Sequence, residues 1–320
     1  MSNRTWFATF ATGILLLALL PNVVDGYMLG VMRDALIFGL FAASLDFFWG
    51  RTGILCFGHA CFFGLGGYVM AIVSMMPDLA QPTLFGLVAA VAASALLAAV
   101  IGYFMFFGGV RGSYFTIVTL ALAVIAQQVA ISWSDVTGGD TGLLGVPPLA
   151  FGALDLSGDI ASYAAVAVIL VACLLGLRLV SVGPWGKVLT AIGDNEMRAA
   201  ALGYNAAQRL TLTFTLSAAI AGLAGALYVA MAGLVAPDLI GLLLSTEVVV
   251  WVAIGGRGTL IGPVVGAVLV QRAQQEISSY NPSLWPLIIG CIFVLIVFLL
   301  PDGILSIAQR LRGVLPGRTR

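Results

Sequence analysis

GPWGKVLTAIGDNEMRAAALGYN, residues 183–205, is the one interior stretch in which an otherwise membrane-like sequence turns charged and amphipathic. Pro184 suits the first turn of a helix, where its missing N–H costs nothing. Val188, Leu189 and Ile192 then share one face and Lys187 lies on another, the 3.6-residue pattern of an amphipathic helix. Gly193 is expected to interrupt that helix. Asp194 is the expected N-cap of a second one, with Glu196 at the positive end of its dipole and Gly203 closing it in the left-handed conformation. Two short amphipathic helices between long apolar segments should lie at a membrane face and offer a surface to a soluble partner. The plainer alternative is a loop pinned by helix caps.

Around this elbow the chain is a membrane protein. Of its 320 residues 61% are hydrophobic and 9% charged, against roughly a quarter charged in soluble domains. Apolar stretches near the spanning length of about 20 residues fall at 6–24, 28–49, 53–75, 83–107, 113–132, 160–181, 209–234 and 284–301. Two shorter pieces, 242–254 and 259–271, flank Gly255-Gly256-Arg257-Gly258, a structural hinge by this reading. The fold class is therefore an all-α polytopic membrane protein of about ten transmembrane or half-membrane helices. Residues 1–320 are expected to form a single transmembrane domain, with 184–204 a coupling region within it. The first apolar run reads as a retained span rather than a cleaved signal peptide.

Basic residues orient these spans, because short cytoplasmic loops collect Lys and Arg. Arg4, Arg51, Arg111, the group Arg178/Lys187/Arg198/Arg209 and the tail Arg310/Arg312/Arg318/Arg320 share one side if the N-terminus is cytoplasmic. Asp25, Asp78, Asp238 and the connection 132–159, with four aspartates and no basic residue, share the other. Both termini are then cytoplasmic, provided that 242–271 reverses rather than crossing once; Arg257 and Arg272 are the ambiguous charges. The glycines and Pro147-Pro148 of the outer connection argue for turns and extended chain, either capping a pathway or merely connecting spans.

Catalytic motifs are absent. Lys187 in GPWGKV lacks the spacing and following Ser or Thr of a phosphate loop, His59 is the sole histidine, and Cys56, Cys61, Cys173 and Cys291 sit in apolar runs like small hydrophobes. No enzyme, metal, cofactor or nucleic-acid partner is expected. What remains are polar and aromatic groups at lipid depth, which mark candidate pathways: Asp46, His59, Phe62, Phe63, Tyr68, Thr246, Glu247 and Trp251. Each acid precedes an arginine among glycines, Gly50-Arg51-Thr52-Gly53 or Gly255-Gly256-Arg257-Gly258, an internal echo of the kind repeat-built transporters place beside the solute. Two plainer roles stay open: His59 tying helices together, and Glu247 pairing with Arg257 or Arg51.

Six ordered blocks resemble one family: SLDFFWGRTGILCFGHACFFGLGGY (44–68), VRGSYFTIVTLALA (110–123), TGGDTGL (137–143), GKVLTAIGDNEMRAAALGYN (186–205), LSAAIAGLAGALYV (216–229) and STEVVVWVAIGGRGTLIGPVVGAVLV (245–270). They are similar to the permease subunits of the branched-chain amino acid and urea ATP-binding-cassette (ABC) importers. The resemblance implies a homologous second permease, two cytoplasmic ATP-binding subunits and a periplasmic solute-binding protein, all working in the bacterial inner membrane. It also implies that the stretch matching 186–205 docks on the ATPase, with Lys187, Asp194, Asn195, Glu196, Arg198, Ala199, Ala200 and Gly203 in that contact. DFFWGRTGIL, Gly203-Tyr204-Asn205 and VVWVAIGGRGTLIGPVVGA look closer to the urea type, which makes urea or short amides the expected solute and branched-chain amino acids the alternative. Gln271, Cys56 and Ala60 depart from the urea pattern. An ion-coupled transporter or channel working alone, or a structural subunit with no solute path, would be the readings from other classes.

Overall fold

The computed structural model describes residues 3–76, 81–151, 154–156 and 158–280, with 287, 288, 290 and 291. The expected span 284–301 and the basic tail from Arg310 onward lie outside the described residues. In chain order the helices are α1 (Asn3–Leu19), α2 (Gly26–Thr52), α3 (Ala60–Ser74), α4 (Pro82–Phe107), α5 (Gly112–Ser132), the single turn α6 (Ser134–Thr137), α7 (Asp159–Val182), α8 (Pro184–Asp194), α9 (Glu196–Ala201), α10 (Ala206–Ala232), α11 (Leu242–Gly255) and α12 (Ile261–Tyr280). Among the described residues six stretches are long and apolar enough to cross a membrane: α2, α4, α5, α7, α10 and Pro237–Gly255, while α1 and α3 are apolar but shorter.

Buried α2 and α10 form the centre, and α3, α4, α7, α11 and α12 pack around them. Small residues allow the closest approaches, as expected between helices in lipid, where association rests on packing. A methyl group added at Gly66 of α3 would collide with the backbone of Gly222 in α10, and one added at Gly225 with the Phe63 carbonyl. Gly13 faces open space. Gly66→Leu is therefore expected to eliminate the monodisperse, detergent-stable species in size-exclusion chromatography, whereas Gly13→Leu leaves it intact.

The expected span 53–75 is a correction. Helix α2 ends at Gly53, left-handed with φ 76° and bonded back to the Trp49 carbonyl, and the next helix begins only at Ala60. Non-helical backbone at membrane depth needs partners from within the protein. Here they are hydroxyls: Thr116 of α5 donates to the Leu55 carbonyl at 2.9 Å, Thr119 accepts from the Phe57 amide at 3.2 Å, and Thr52 accepts from Ile54 at 3.2 Å.

The second glycine interruption reverses the chain. Residues of α12 pair antiparallel with α11 (Gly255 against Gly262, Trp251 against Gly266) and with α2 (Gly39 against Val264, Tyr27 against Gln275). The 242–271 region is thus a hairpin, as the charge pattern required.

Charges segregate to the two ends. Arg51, Arg111, Arg178, Arg257 and the elbow cluster at one: Gly193 abuts the Arg51 carbonyl, Arg111 meets Glu196, and the Arg257 guanidinium lies 5.2 Å from the Trp49 ring. Asp25, Asp135, Asp140, Asp159 and Asp238 are exposed at the other. There the connection before α7 forms two-residue strand pairs, β1 (Leu143–Leu144) with β4 (Leu234–Val235) and β2 (Ala150–Phe151) with β3 (Leu154–Asp155). Arg272, beside Met28, and Arg33, paired with Asp34 and reaching Ser162 at 3.4 Å near the start of α7, break the pattern.

Candidate functional site

The elbow is built as two helices with an inner and an outer face. Leu189 and Ile192 are buried and Val188 half-buried, while Lys187 is exposed, the facing expected from their spacing. Trp185 anchors α8 to α10 through Nε1 to the Thr213 hydroxyl at 3.3 Å, with the Arg209 guanidinium 4.1 Å from its ring centroid.

Two local expectations are corrected. Helix α8 runs through Gly193 to Asp194, because a glycine there lets it press against the end of α2, where a methyl group would approach the Arg51 carbonyl to 2.8 Å. The N-cap of α9 is Asn195, not Asp194: Asn195 is extended (φ −161°, ψ 102°) and its side-chain oxygen accepts from the Arg198 amide at 2.9 Å. Gly203 is left-handed at φ 88°, as expected.

Beyond this cap, Ala199 is buried, Glu196 half-buried, and Asp194, Arg198 and Ala200 are exposed. Met197 and Leu202 are 84% and 74% exposed, so two large apolar side chains stand out among charges. Glu196 also has a partner that sequence spacing does not reveal. Arg111, 85 residues earlier, forks onto both carboxylate oxygens at 2.8–3.0 Å and donates to the Phe106 and Val110 carbonyls at 2.7 and 3.0 Å.

Deeper in the bundle, four of the expected pathway residues come together. His59 is fully buried, stacked on Phe41 at 5.4 Å and met edge-on by Phe62 at 5.9 Å. Phe63 packs on Phe41 and Phe38, and Trp251 on Phe38 at 5.2 Å. The Ser44 hydroxyl donates to the Phe41 carbonyl at 2.7 Å and therefore accepts from His59 Nε2 at 2.9 Å, which puts the ring proton on Nε2. Ser217 of α10 donates to the Ser44 carbonyl at 2.6 Å, and Ser245 of α11 accepts from the Ala60 amide at 3.4 Å. Histidine and serines thus tie four helices at one level. His59 Nδ1 and Trp251 Nε1 are buried there without hydrogen-bond partners. His59, Phe41, Phe63 and Trp251 are all buried, so side chains fill this level among the described residues; a cavity of about 10 Å³ beside Phe62 is at the limit for a single water.

The other candidates lie elsewhere. Tyr68 belongs to a separate cluster with Val235 and Ile240, towards the acidic end. Glu247 is buried on α11, and Thr246 is half-buried with its hydroxyl returned to the Leu242 carbonyl at 2.9 Å. Asp46 is buried against the hairpin turn: its oxygens accept from the Gly258 amide at 2.5 Å and the Leu260 amide at 2.9 Å. The two glycine interruptions of the sequence echo therefore touch, and a methyl group on Gly50 would lie 2.7 Å from the Gly258 Cα. Gly256 and Gly258 of the hinge have φ of 102° and 79°, Gly255 faces Gly262, and Arg257 is stacked on Trp49.

A helical bundle with a tethered elbow at its basic end also matches by sequence. A family model described as "Branched-chain amino acid transport system / permease component" covers residues 27–297. The chain belongs to this family. Among curated relatives, the high-affinity branched-chain amino acid transport system permease protein LivM of Escherichia coli K12 is 26% identical over 328 residues, covering 94% of this chain and 75% of that protein. LivH of the same strain, also a permease protein of a high-affinity branched-chain amino acid transport system, is 26% identical over 122 residues (38% and 39%). The fructose import permease protein FrcC of Rhizobium meliloti is 30% identical over 144 residues (42% and 39%). No solved structure matches. The permease is thus a multi-pass transport subunit of the ABC importer type rather than an enzyme. The leaning towards urea or short amides finds no support in these relatives; the branched-chain alternative fits them better.

Proposed function

We propose that this permease is one of two membrane subunits of an ATP-driven importer of branched-chain amino acids, working with a homologous second permease, two cytoplasmic ATP-binding subunits and a periplasmic solute-binding protein. The observation that carries the reading is the elbow, whose inner face is fixed to α2, to α10 and to Arg111 at the start of α5, while Met197 and Leu202 project outwards. Such a fixed projection suits a motor that pushes on it. The substrate follows the relatives named for it. An aromatic closure around His59 is compatible with aliphatic side chains, which bury apolar area without needing a fixed counter-charge. The elbow end is assigned to the cytoplasm on its basic residues, as are both termini.

In this mechanism ATP binding brings the two ATPases together, the elbow moves with them, and the helices meeting at His59 part to pass solute from the binding protein. The complex reconstituted in vesicles with its cognate binding protein is expected to accumulate radiolabelled leucine, isoleucine or valine only with ATP, with excess unlabelled urea having no effect. Accumulation without ATP would instead favour a carrier working alone, with Asp46, Glu247 and Arg257 as coupling groups. ATP-driven urea uptake would restore the urea assignment.

A further inference from the structure

The turn between α4 and α5 reads Phe106-Phe107-Gly108-Gly109-Val110-Arg111-Gly112. Gly109 and Gly112 are left-handed, at φ 80° and 56°, and neither has an atom within 4 Å of where a Cβ would stand. These glycines serve backbone conformation rather than close packing, so the turn has the composition of a hinge. Most of the α5 surface beyond it is exposed.

Two sets of polar bonds nevertheless tie α5 to the rest of the chain. At its start Arg111, the residue before the first helical one, grips Glu196 of α9. One and two turns later Thr116 and Thr119 hold Leu55 and Phe57 in the non-helical segment that leads to His59. The order in space is elbow, Arg111, α5, Thr116 and Thr119, segment 54–58, His59. Each non-covalent link is a directional hydrogen bond or a rigid helix, and the segment lies between two helices rather than within one.

From this juxtaposition we propose that α5 is the lever that carries elbow motion to the closure at His59, and that Arg111 is the positioning residue that couples it to α9. The idea rests on the importer reading above. A shift of α9 draws the start of α5 with it about the glycine turn; the two threonines then pull segment 54–58, and His59 moves relative to Ser44. Arg suits this post because its planar fork engages both Glu196 oxygens while still reaching two backbone carbonyls, which the single ammonium of a lysine does not match.

The experiment uses the full complex in vesicles and measures three quantities: co-purification of the ATPase subunits, basal ATP hydrolysis, and solute taken up per ATP hydrolysed. Arg111→Gln is expected to leave the first two intact and to lower uptake per ATP by about fivefold or more, the lower range of allosteric coupling. Arg111→Lys, which keeps one charged contact, should recover part of that loss; a purely structural arginine would show no such graded coupling at constant assembly. Thr116→Val should lower the same ratio. Because the links act in series, the Arg111→Gln/Thr116→Val double variant should be little worse than the stronger single one. Unchanged uptake per ATP in Arg111→Gln, or losses that simply multiply in the double variant, would overturn the lever. If wild-type uptake needs no ATP, the importer reading itself fails; if it needs ATP and Arg111→Gln behaves as wild type, only the lever fails.

Discussion

Replacing Met197 and Leu202 together by aspartate is expected to abolish ATP-dependent uptake, by about 10²-fold or more, while the permease still inserts and keeps its thermal stability. Both side chains stand off the bundle, so their loss removes almost no intramolecular burial. An exposed apolar pair set among Lys187, Asp194 and Arg198 is the kind of anchor that a soluble partner desolvates. Interface anchors of this kind are worth about 2 kcal/mol or more each, and every 1.4 kcal/mol is tenfold in affinity. Two added carboxylates would also be buried without partners in the docked state. The check is affinity pull-down of the ATPase subunits alongside uptake. Deleting Asp194 to Leu202 should give the same result more bluntly. Leu189→Asp makes a useful contrast, because it places a charge on the inner face and should lower the melting temperature of the permease itself. Full ATPase retention and uptake in the Met197/Leu202 variant would show that the elbow is not the docking point.

The features that were legible in the sequence are those imposed by lipid or by local spacing. Spans such as 83–107 and 113–132 are visible because a crossing helix must be apolar for its whole length, and they reappear as α4 and α5 within a residue or two. The reversal at Gly255–Gly258 could be read from charge, since a single crossing would have left the basic tail on the wrong side. The apolar face of α8 followed from the positions of Leu189 and Ile192. What stayed hidden depends on contacts between distant residues. The run from Gly53 to Met75 is apolar apart from His59, Tyr68 and Ser74, so little local separates the non-helical segment at 54–58 from a helix; the threonines that make that segment tolerable are about 60 positions away. The Arg111–Glu196 pair is hidden for the same reason. The exchange of Asp194 for Asn195 as cap is a one-residue matter of where α8 ends, and Gly193 prolongs it by packing on α2. Solute identity was least legible, because the blocks that suggested urea consist largely of glycines and helix-face residues, which define backbone shape rather than the chemistry of a solute.

Asp46→Ala should destabilise the permease by about 2 kcal/mol, since a buried donor left without a partner costs about 1–3 kcal/mol, and of the two donors concerned Leu260 is buried and Gly258 half-buried. The two amides it would abandon, of Gly258 and Leu260, lie in a turn whose geometry is already unfavourable: Leu260 sits at φ 63°, a left-handed conformation that costs about 1–2 kcal/mol for a residue with a Cβ. Thr259 supports the same turn, donating to the Gly256 carbonyl at 2.7 Å and accepting from Gly262 at 3.0 Å, but it cannot reach both orphaned amides. Hydrogen bonds between membrane helices average only about 0.6 kcal/mol because the unfolded state finds other partners. Here one carboxylate serves two amides, so its loss removes two such bonds at once. Asp46→Asn keeps one acceptor and turns an amide N–H2 towards the second donor, so it should fall between wild type and Ala. Thermal denaturation in detergent measures the order, and uptake with the reconstituted partners should decline in the same order. This also separates two roles for Asp46. A carboxylate that holds the hairpin loses stability and uptake together, whereas one that binds solute would raise KM in Asp46→Asn at unchanged melting temperature. The second pattern would return Asp46 to the pathway; the contacts to Gly258 and Leu260 favour the first.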